Sequence, residues 1–273
     1  MKRFLKALTL ALATALLSSP TFAADTASKV VAASDIKWGY LNPLRGDKSP
    51  GAADLWGDRT TDTATGMLVR FKQGFESPPH IHNITYRGIV IEGQMHNDDP
   101  NAEKMWMPTG SFWTQPAGED HTTAANTATN LIYLEIDSGP YLVKPSTEKF
   151  DNGERPLNLH RDNIVWLNDS DLNDINVDGV QTTYVWGSTA KMNGSMLKLP
   201  AGFAGKITTD AKEFRAVVIA GTLEYHSKEQ QKSQNLSPGS YLESTGKFTH
   251  SFANQGDTAA TIYIRTNSKY QVD

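Results

Sequence analysis

The sequence predicts an all-β chain of sandwich or barrel type in which one domain occurs twice, and three observations carry that prediction. Short apolar runs alternate with polar residues and are cut by Gly, Pro, Asn and Asp clusters, the two-residue period of strands with one buried face. Beyond the N-terminal segment, no amphipathic stretch keeps the 3.6-residue period for more than about two turns. The chain also repeats itself: Trp38, Gly66, Gly74 and Gly93 return 128 residues later as Trp166, Gly194, Gly202 and Gly221. Trp56-Gly57 has its counterpart in Trp186-Gly187.

Taken in order, residues 1–23, "MKRFLKALTLALATALLSSPTFA", open with Lys2, Arg3 and Lys6, run apolar from Ala7 to Leu17 and end in small residues. This reads as a signal peptide cleaved after Ala23. The apolar run is too short for the ~30 Å hydrocarbon layer of a bilayer, which weighs against the alternative of a retained anchor. The expectation is export to the periplasm of a Gram-negative source, with no membrane partner after cleavage. Strands follow in "GMLVRFKQG" (66–74), "RGIVIEG" (87–93), "NLIYLEI" (130–136), "AVVIAG" (216–221) and "ATIYIR" (260–265). The Pro-, Gly- and charge-rich stretch 137–162 is the expected boundary, giving an N-terminal domain over 24–145 and a C-terminal domain over 146–273.

Composition narrows the chemistry. Losing the leader removes three basic and no acidic residues and takes the net charge from −4 to −7, which excludes nucleic acid as a natural partner. There is no cysteine, so disulfides, thiolate ligands and a cysteine nucleophile are ruled out. A metal would have to be held by His, carboxylate, phenolate or backbone oxygen.

The segment "PPHIHNITYRGIVIEG" (78–93) offers such a site. On a strand, residues i and i+2 share a face about 7 Å apart, so His80 and His82 could grip one ion; on a helix they would diverge by about 200°. His-x-His alone is a weak signal. Here it sits in a longer pattern: Gly74, five residues, His80, one, His82, three, Tyr86, six, Gly93; then Gly110, five, Pro116, one, Gly118, two, His121, and Asn126.

In these two motifs the sequence resembles the cupin superfamily, which carries glutamate where Tyr86 stands and an asparagine one residue nearer the last histidine. The second half keeps the register with Gly202, Thr208, Asp210, Phe214, Gly221, Gly239, His250 and Asn254, and resembles a cupin that has lost two histidines. The resemblance implies two cupin (jelly-roll β-barrel) domains in tandem, a secreted bicupin similar to the ChrR-like group. His80, His82 and His121 match the metal ligands; the carboxylate ligand does not carry over. A divalent ion is implied, Fe(II) foremost, with Zn(II), Mn(II), Ni(II) or Cu(II) also compatible with imidazole.

Three-histidine cupin sites resemble those of dioxygenases that cleave β-diketones or oxidise thiols. The expected function is a metal-dependent oxygenase of a small organic molecule, and a dicationic site favours an anionic enolate or carboxylate substrate. The alternatives are a metal-free packed remnant and a periplasmic carrier or sensor of a metal or small ligand; sheet edges could also pair copies into a homo-oligomer. Tyr86 is the candidate catalytic residue, a phenol able to hydrogen-bond metal-bound oxygen or pass a proton, against the plainer reading that it fills the barrel. His96, His160 and His226 are expected at the surface, His250 as a structural remnant with Asp210 as its one candidate partner, and Trp106, Met107 and Trp113 as packing. The facing of Glu135 depends on a strand register the sequence does not fix.

Overall fold

The computed structural model describes residues 27–168, 173–187, 191–227 and 232–273; the expected signal peptide lies outside them. The expected class is observed. Among the described residues, strands form five sheets and helix occurs only as short 3-10 turns. No helix among them is long and apolar enough to cross a membrane.

The register explains why several strands read as almost continuously apolar. Thr65–Lys72 and Thr129–Ile136 pair antiparallel with Met67 opposite Leu134 and Val69 opposite Ile132. Met67, Val69, Phe71, Ile132, Leu134 and Ile136 face one core, inside the first half. Their alternates Leu68 and Tyr133 face another, shared with Met196, Val217, Ile219 and Tyr263 of the second half. Leu197, Leu199, Val218, Ile262 and Ile264 turn into a third core within that half. The seven-stranded sheet and the six-stranded sheet that carries Met196, Val217 and Tyr263 are thus buried on both faces and packed back to back with the shared cluster between them.

Sheet membership departs from the expected boundary at two edges. Ser28–Val31, at the start of the expected first domain, pairs with Tyr241–Ser244 of the second half. Leu157–Leu159, assigned to the second domain, pairs with Phe112–Gln115 of the first. Each short segment covers an edge that would otherwise present unpaired backbone groups, a requirement that linker composition does not reveal.

Of the repeated glycines, Gly66 and Gly194 owe their positions to the repeated tryptophans. A Cβ at Gly66 would lie 2.1 Å from Trp56 Nε1 and 2.5 Å from the Tyr133 hydroxyl; at Gly194 the distances to Trp186 Nε1 and the Tyr263 hydroxyl would be 1.9 and 2.6 Å. Only hydrogen fits there. Each indole N–H donates to its tyrosine, Trp56 to Tyr133 at 3.2 Å and Trp186 to Tyr263 at 2.7 Å.

Both tyrosines donate in turn to Glu135, at 3.0 and 2.8 Å. Glu135 is 1% exposed and lies 3.3 Å from Arg265 Nη1 and 3.6 Å from Arg87 Nη1. Burial and the carboxylate together hold both phenols above their ordinary range, so they remain donors. Thr129–Ile136 therefore turns Glu135 away from His80, His82 and His121 and into the joint. Removing one partner of such a pair strands buried charge. Glu135→Ala is expected to lower the unfolding free energy by about 3–5 kcal/mol in urea denaturation, and adding Arg265→Met should recover part of the loss. An unchanged midpoint for the single variant would show that Asp137, also bound to Arg265, carries the charge balance alone.

Candidate metal centre

His80–His82 is a three-residue strand buried along its whole length. Its alternation sends both imidazoles to one side, and His121 joins them through backbone pairing: His80 N–H donates to His121 O and His121 N–H to His80 O, both at 3.0 Å. One ligand atom from each of the three lies within 4.8 Å of the others, a scale a single ion can draw together, and among the described residues no carboxylate joins the group.

Each ring is oriented through its Nδ1. His80 Nδ1 lies 2.9 Å from Pro78 O, His82 Nδ1 3.1 Å from Leu142 O, and His121 Nδ1 3.1 Å from Glu119 O. A carbonyl only accepts, so Nδ1 carries the hydrogen in all three and Nε2 keeps a lone pair for a ligand bond. Burial holds the rings neutral: His80 is lowered, His82 lies well below its ordinary value with its two neighbours adding to the effect, and His121 is pushed down to about 3 by burial and then by His80. Neutral, Nδ1-protonated imidazole is the form a divalent cation binds. The donor set fits such an ion.

Tyr86 stands beside the cluster. Its hydroxyl donates to Asn97 Oδ1 at 2.9 Å and lies 3.4 Å from His121 Nε2. Asn97 also accepts from Thr123 Oγ1 at 2.8 Å and donates to Gln115 Oε1 at 2.8 Å, while Gln115 Nε2 donates to Glu119 O, the carbonyl that orients His121. Burial raises the Tyr86 hydroxyl above its ordinary range, so it enters the site as a neutral phenol aimed by an amide chain.

Several residues of the site escape sequence reasoning. Tyr141 stacks on His82 with ring centroids 4.4 Å apart and places its hydroxyl 3.2 Å from His82 Nε2. It lies in the expected boundary stretch 137–162, on the part assigned to the first domain, and that part folds back over the first half: Val143–Pro145 pairs with His80–His82, and Asn83 grips Pro140 O and Leu142 N at 2.9 Å each. The Pro and Gly content shows turns but not where they return. His96 is a correction, because it lies on the strand Gln94–Asp98, 2% exposed and with Nδ1 unpartnered among the described residues, rather than at the surface. The next residue is Asn97, so the polar connection between the motifs is itself part of the site.

The other histidines follow expectation. His160 is partly exposed and its Nδ1 accepts from Asp162 N, and His226 is exposed beside Ser233. His250 is buried, bound to the Tyr225 hydroxyl at 3.1 Å and to Ser244 Oγ at 3.0 Å and stacked on Phe214; Asp210 is exposed and bonds Ser268, which removes the Asp210–His250 alternative. Trp113 and Met107 are buried in the first-half core, and Trp106 is partly buried beside His96. Trp113 also lines a cavity of about 530 Å³ that opens over His80, His82 and Tyr86.

The three imidazoles converge beside a cavity that His80 and His82 line, inside a β-rich half whose fold solved structures share. A candidate dioxygenase from Nostoc punctiforme is similar with TM-score 0.65 and 13% identity, over 88% of this chain and 82% of that one. Oxalate decarboxylase from Lactobacillus farciminis, in complex with formate, gives TM-score 0.56 and 11% identity over 89% and 87%. Salicylate 1,2-dioxygenase from Pseudoaminobacter salicylatoxidans gives 0.51 and 12% over 78% and 73%. At such identities the likeness speaks for the fold alone. The chain itself belongs to the family described as "Domain of unknown function (DUF4437)", which matches residues 29–273. No curated protein matches it by sequence.

The buried imidazoles make stability depend on pH. For His250, pushed down to about 3 by burial, both states are neutral above about pH 6.5; as pH falls from there toward 3 the unfolded chain takes a proton the native state refuses, so the native state loses ground. His250→Gln is expected to flatten that acid limb by at most about 1.4 kcal/mol per pH unit, read as the pH dependence of denaturant midpoints. An acid limb of unchanged slope would mean that the ring is already protonated in the native protein.

Proposed function

We propose that the chain is an exported bicupin, akin to the ChrR-like group, whose first barrel holds one divalent ion, Fe(II) foremost, on His80, His82 and His121 and oxidises a small organic molecule. The observation that carries this reading is the arrangement of three neutral imidazoles, each pinned through Nδ1 to a backbone carbonyl, beside a cavity that His80 and His82 line and that is large enough for a small ligand. The tandem arrangement is supported by the 128-residue repeat and by the two cores on either side of a shared one. Export is supported by the N-terminal segment. The dioxygenase names among the structural neighbours agree with the reaction class.

A ferrous ion bound there would supply dioxygen binding and polarisation of substrate oxygen. The protein's own part is positional. The three Nδ1 contacts fix ring orientation before any ion arrives, Asn97 and Gln115 aim the Tyr86 phenol, and Val69, Phe71, Phe75, Trp113, Ile132 and Leu134 keep the cavity walls apolar and exclude bulk water. With its hydrogen on Asn97, the Tyr86 hydroxyl oxygen can accept a hydrogen bond from a protonated ligand oxygen beside His121. A second reading, a carrier or sensor without turnover, is favoured by Tyr141, whose hydroxyl sits where it can close the space beside His82.

Elemental analysis of protein purified anaerobically from the exported form tests the centre. About one metal equivalent per chain is expected, falling below about a tenth in the His80→Ala, His82→Ala double variant. Equal metal content in the two, or none in either, would sink the site. Tyr86→Phe should keep the metal, since Asn97 Oδ1 retains Thr123 as a donor, yet lower oxygen uptake with a turned-over substrate by about 10–100-fold. Unchanged uptake would remove Tyr86 from the chemistry, and iron-loaded protein that consumes no oxygen with any diketone, thiol, phenol or keto acid would favour the carrier.

A further inference from the structure

The cavity over the histidines has a mouth as well as a floor, and the mouth is built around one cation. Of the residues that line it, Arg45 and Glu76 carry charge. Glu76 is ion-paired with Lys104. The Arg45 guanidinium, by contrast, has no hydrogen bond or ion pair among the described residues, and its side chain is exposed to solvent at the rim.

The turn that carries it is held in place. Leu41 N donates to Pro50 O at 2.8 Å and Asn42 N to Ser49 Oγ at 2.9 Å, closing the two ends of the turn on each other. Inside it, Leu44 N donates to Asn42 Oδ1 at 3.0 Å, Arg45 N to Asn42 O at 3.1 Å and Ser49 N to Gly46 O at 3.0 Å. Lys72 Nζ ties the Asp47 carbonyl to the sheet at 3.0 Å. A long cation at a braced position over a largely apolar cavity, with no acidic partner of its own, is placed to meet an anion that the cavity admits.

The rest of the cavity says what the anion is attached to. Its walls offer Phe71, Phe75 and Trp113, broad apolar surfaces suited to a flat ring. Its histidines bring no negative charge, so a divalent ion there would have no carboxylate beside it to offset its charge. We propose that Arg45 is the anion-recognising residue of this cavity, and that its ligand is a carboxylate with an aromatic or similarly apolar body, the carboxylate on the guanidinium and the body against Phe71, Phe75 and Trp113. This deepens the metal-centre reading by giving its substrate class, but the Arg45 contact itself needs no ion.

The test uses a matched pair of probes, 2-naphthoate and the neutral 2-naphthamide, titrated into the full mature chain by calorimetry in EDTA-treated and Zn(II)-loaded forms. The acid is expected to bind the wild type at least about tenfold tighter than the amide. Arg45→Gln should abolish that preference while leaving the affinity for the amide unchanged, Arg45→Lys should restore part of it, and added salt should weaken the acid alone. The inference is overturned if Arg45→Gln leaves the acid-to-amide ratio intact, or if neither probe binds the wild type in either form. Should the chain take up no metal, the EDTA-treated arm and the His80→Ala, His82→Ala variant still read the Arg45 preference, so the two proposals fail separately.

Discussion

Glu135 is the side chain on which the two halves of this molecule depend. A carboxylate 1% exposed between two large sheets is tolerable only if every oxygen is met, and here Tyr133, Tyr263, Arg265 and Arg87 all converge on it. Tyr263, Trp186 and Arg265 take the places of Tyr133, Trp56 and Glu135, each 130 residues on, since Glu135 pairs with Gly66 as Arg265 pairs with Gly194. At the repeated position of Glu135 and Arg265, whose side chains meet across the joint, the halves carry opposite charges. Two glutamates or two arginines at that spot would set like charges a few ångströms apart in a medium of low dielectric. Two arginines also cross over in matched fashion, Arg87 stacking on Trp186 at 3.7 Å and Arg215 on Trp56 at 3.9 Å. Each half therefore covers the other's indole, and the joint holds the two halves in one relative register.

That joint also sets the candidate site, because the strands that form it alternate. Thr129–Ile136 turns Tyr133 and Glu135 toward the joint and Ile132 and Leu134 toward the cavity. Its neighbour Tyr86–Glu92 turns Arg87 to Glu135 and Tyr86, one residue earlier, to His121. A slip of one residue in Tyr86–Glu92 would put a guanidinium among the candidate metal ligands and a phenol in the joint, and the same slip in Thr129–Ile136 would turn the Glu135 carboxylate into the cavity. Correct charge pairing on one face of the sheet thus enforces correct placement of the phenol on the other.

The same alternation explains what could be read from the sequence. Period-two runs announce strands, His80 and His82 announce a shared face, and paired Gly-Trp positions announce the repeat, because each follows from local geometry that neighbouring residues fix. Tyr141, Asn97 and Arg45 reach the cavity through chain reversals whose direction is set by distant pairing, as when Val143–Pro145 docks on His80–His82. His96 departs from its expected surface position for a related reason: in "QMHND" the polar His96 and Asn97 are buried, and hydropathy fails where a strand turns polar residues inward.

The contrast between the two halves argues that the first is kept for function rather than for packing. In the second half the histidine at the matching position is chemically content: His250 has a hydroxyl on each ring nitrogen and the Phe214 ring stacked against it. That is how a barrel accommodates a buried imidazole when stability is the only demand. In the first half three imidazoles turn their lone pairs toward one another, and the phenols beside them, Tyr141 at 3.2 Å and Tyr86 at 3.4 Å, satisfy them incompletely since Tyr86 spends its hydrogen on Asn97. Mutually facing lone pairs in a buried cluster oppose folding, and the backbone carbonyls that fix each Nδ1 hold the rings in that unfavourable order. A cation placed among them turns the repulsion into attraction, and no internal packing role requires the arrangement.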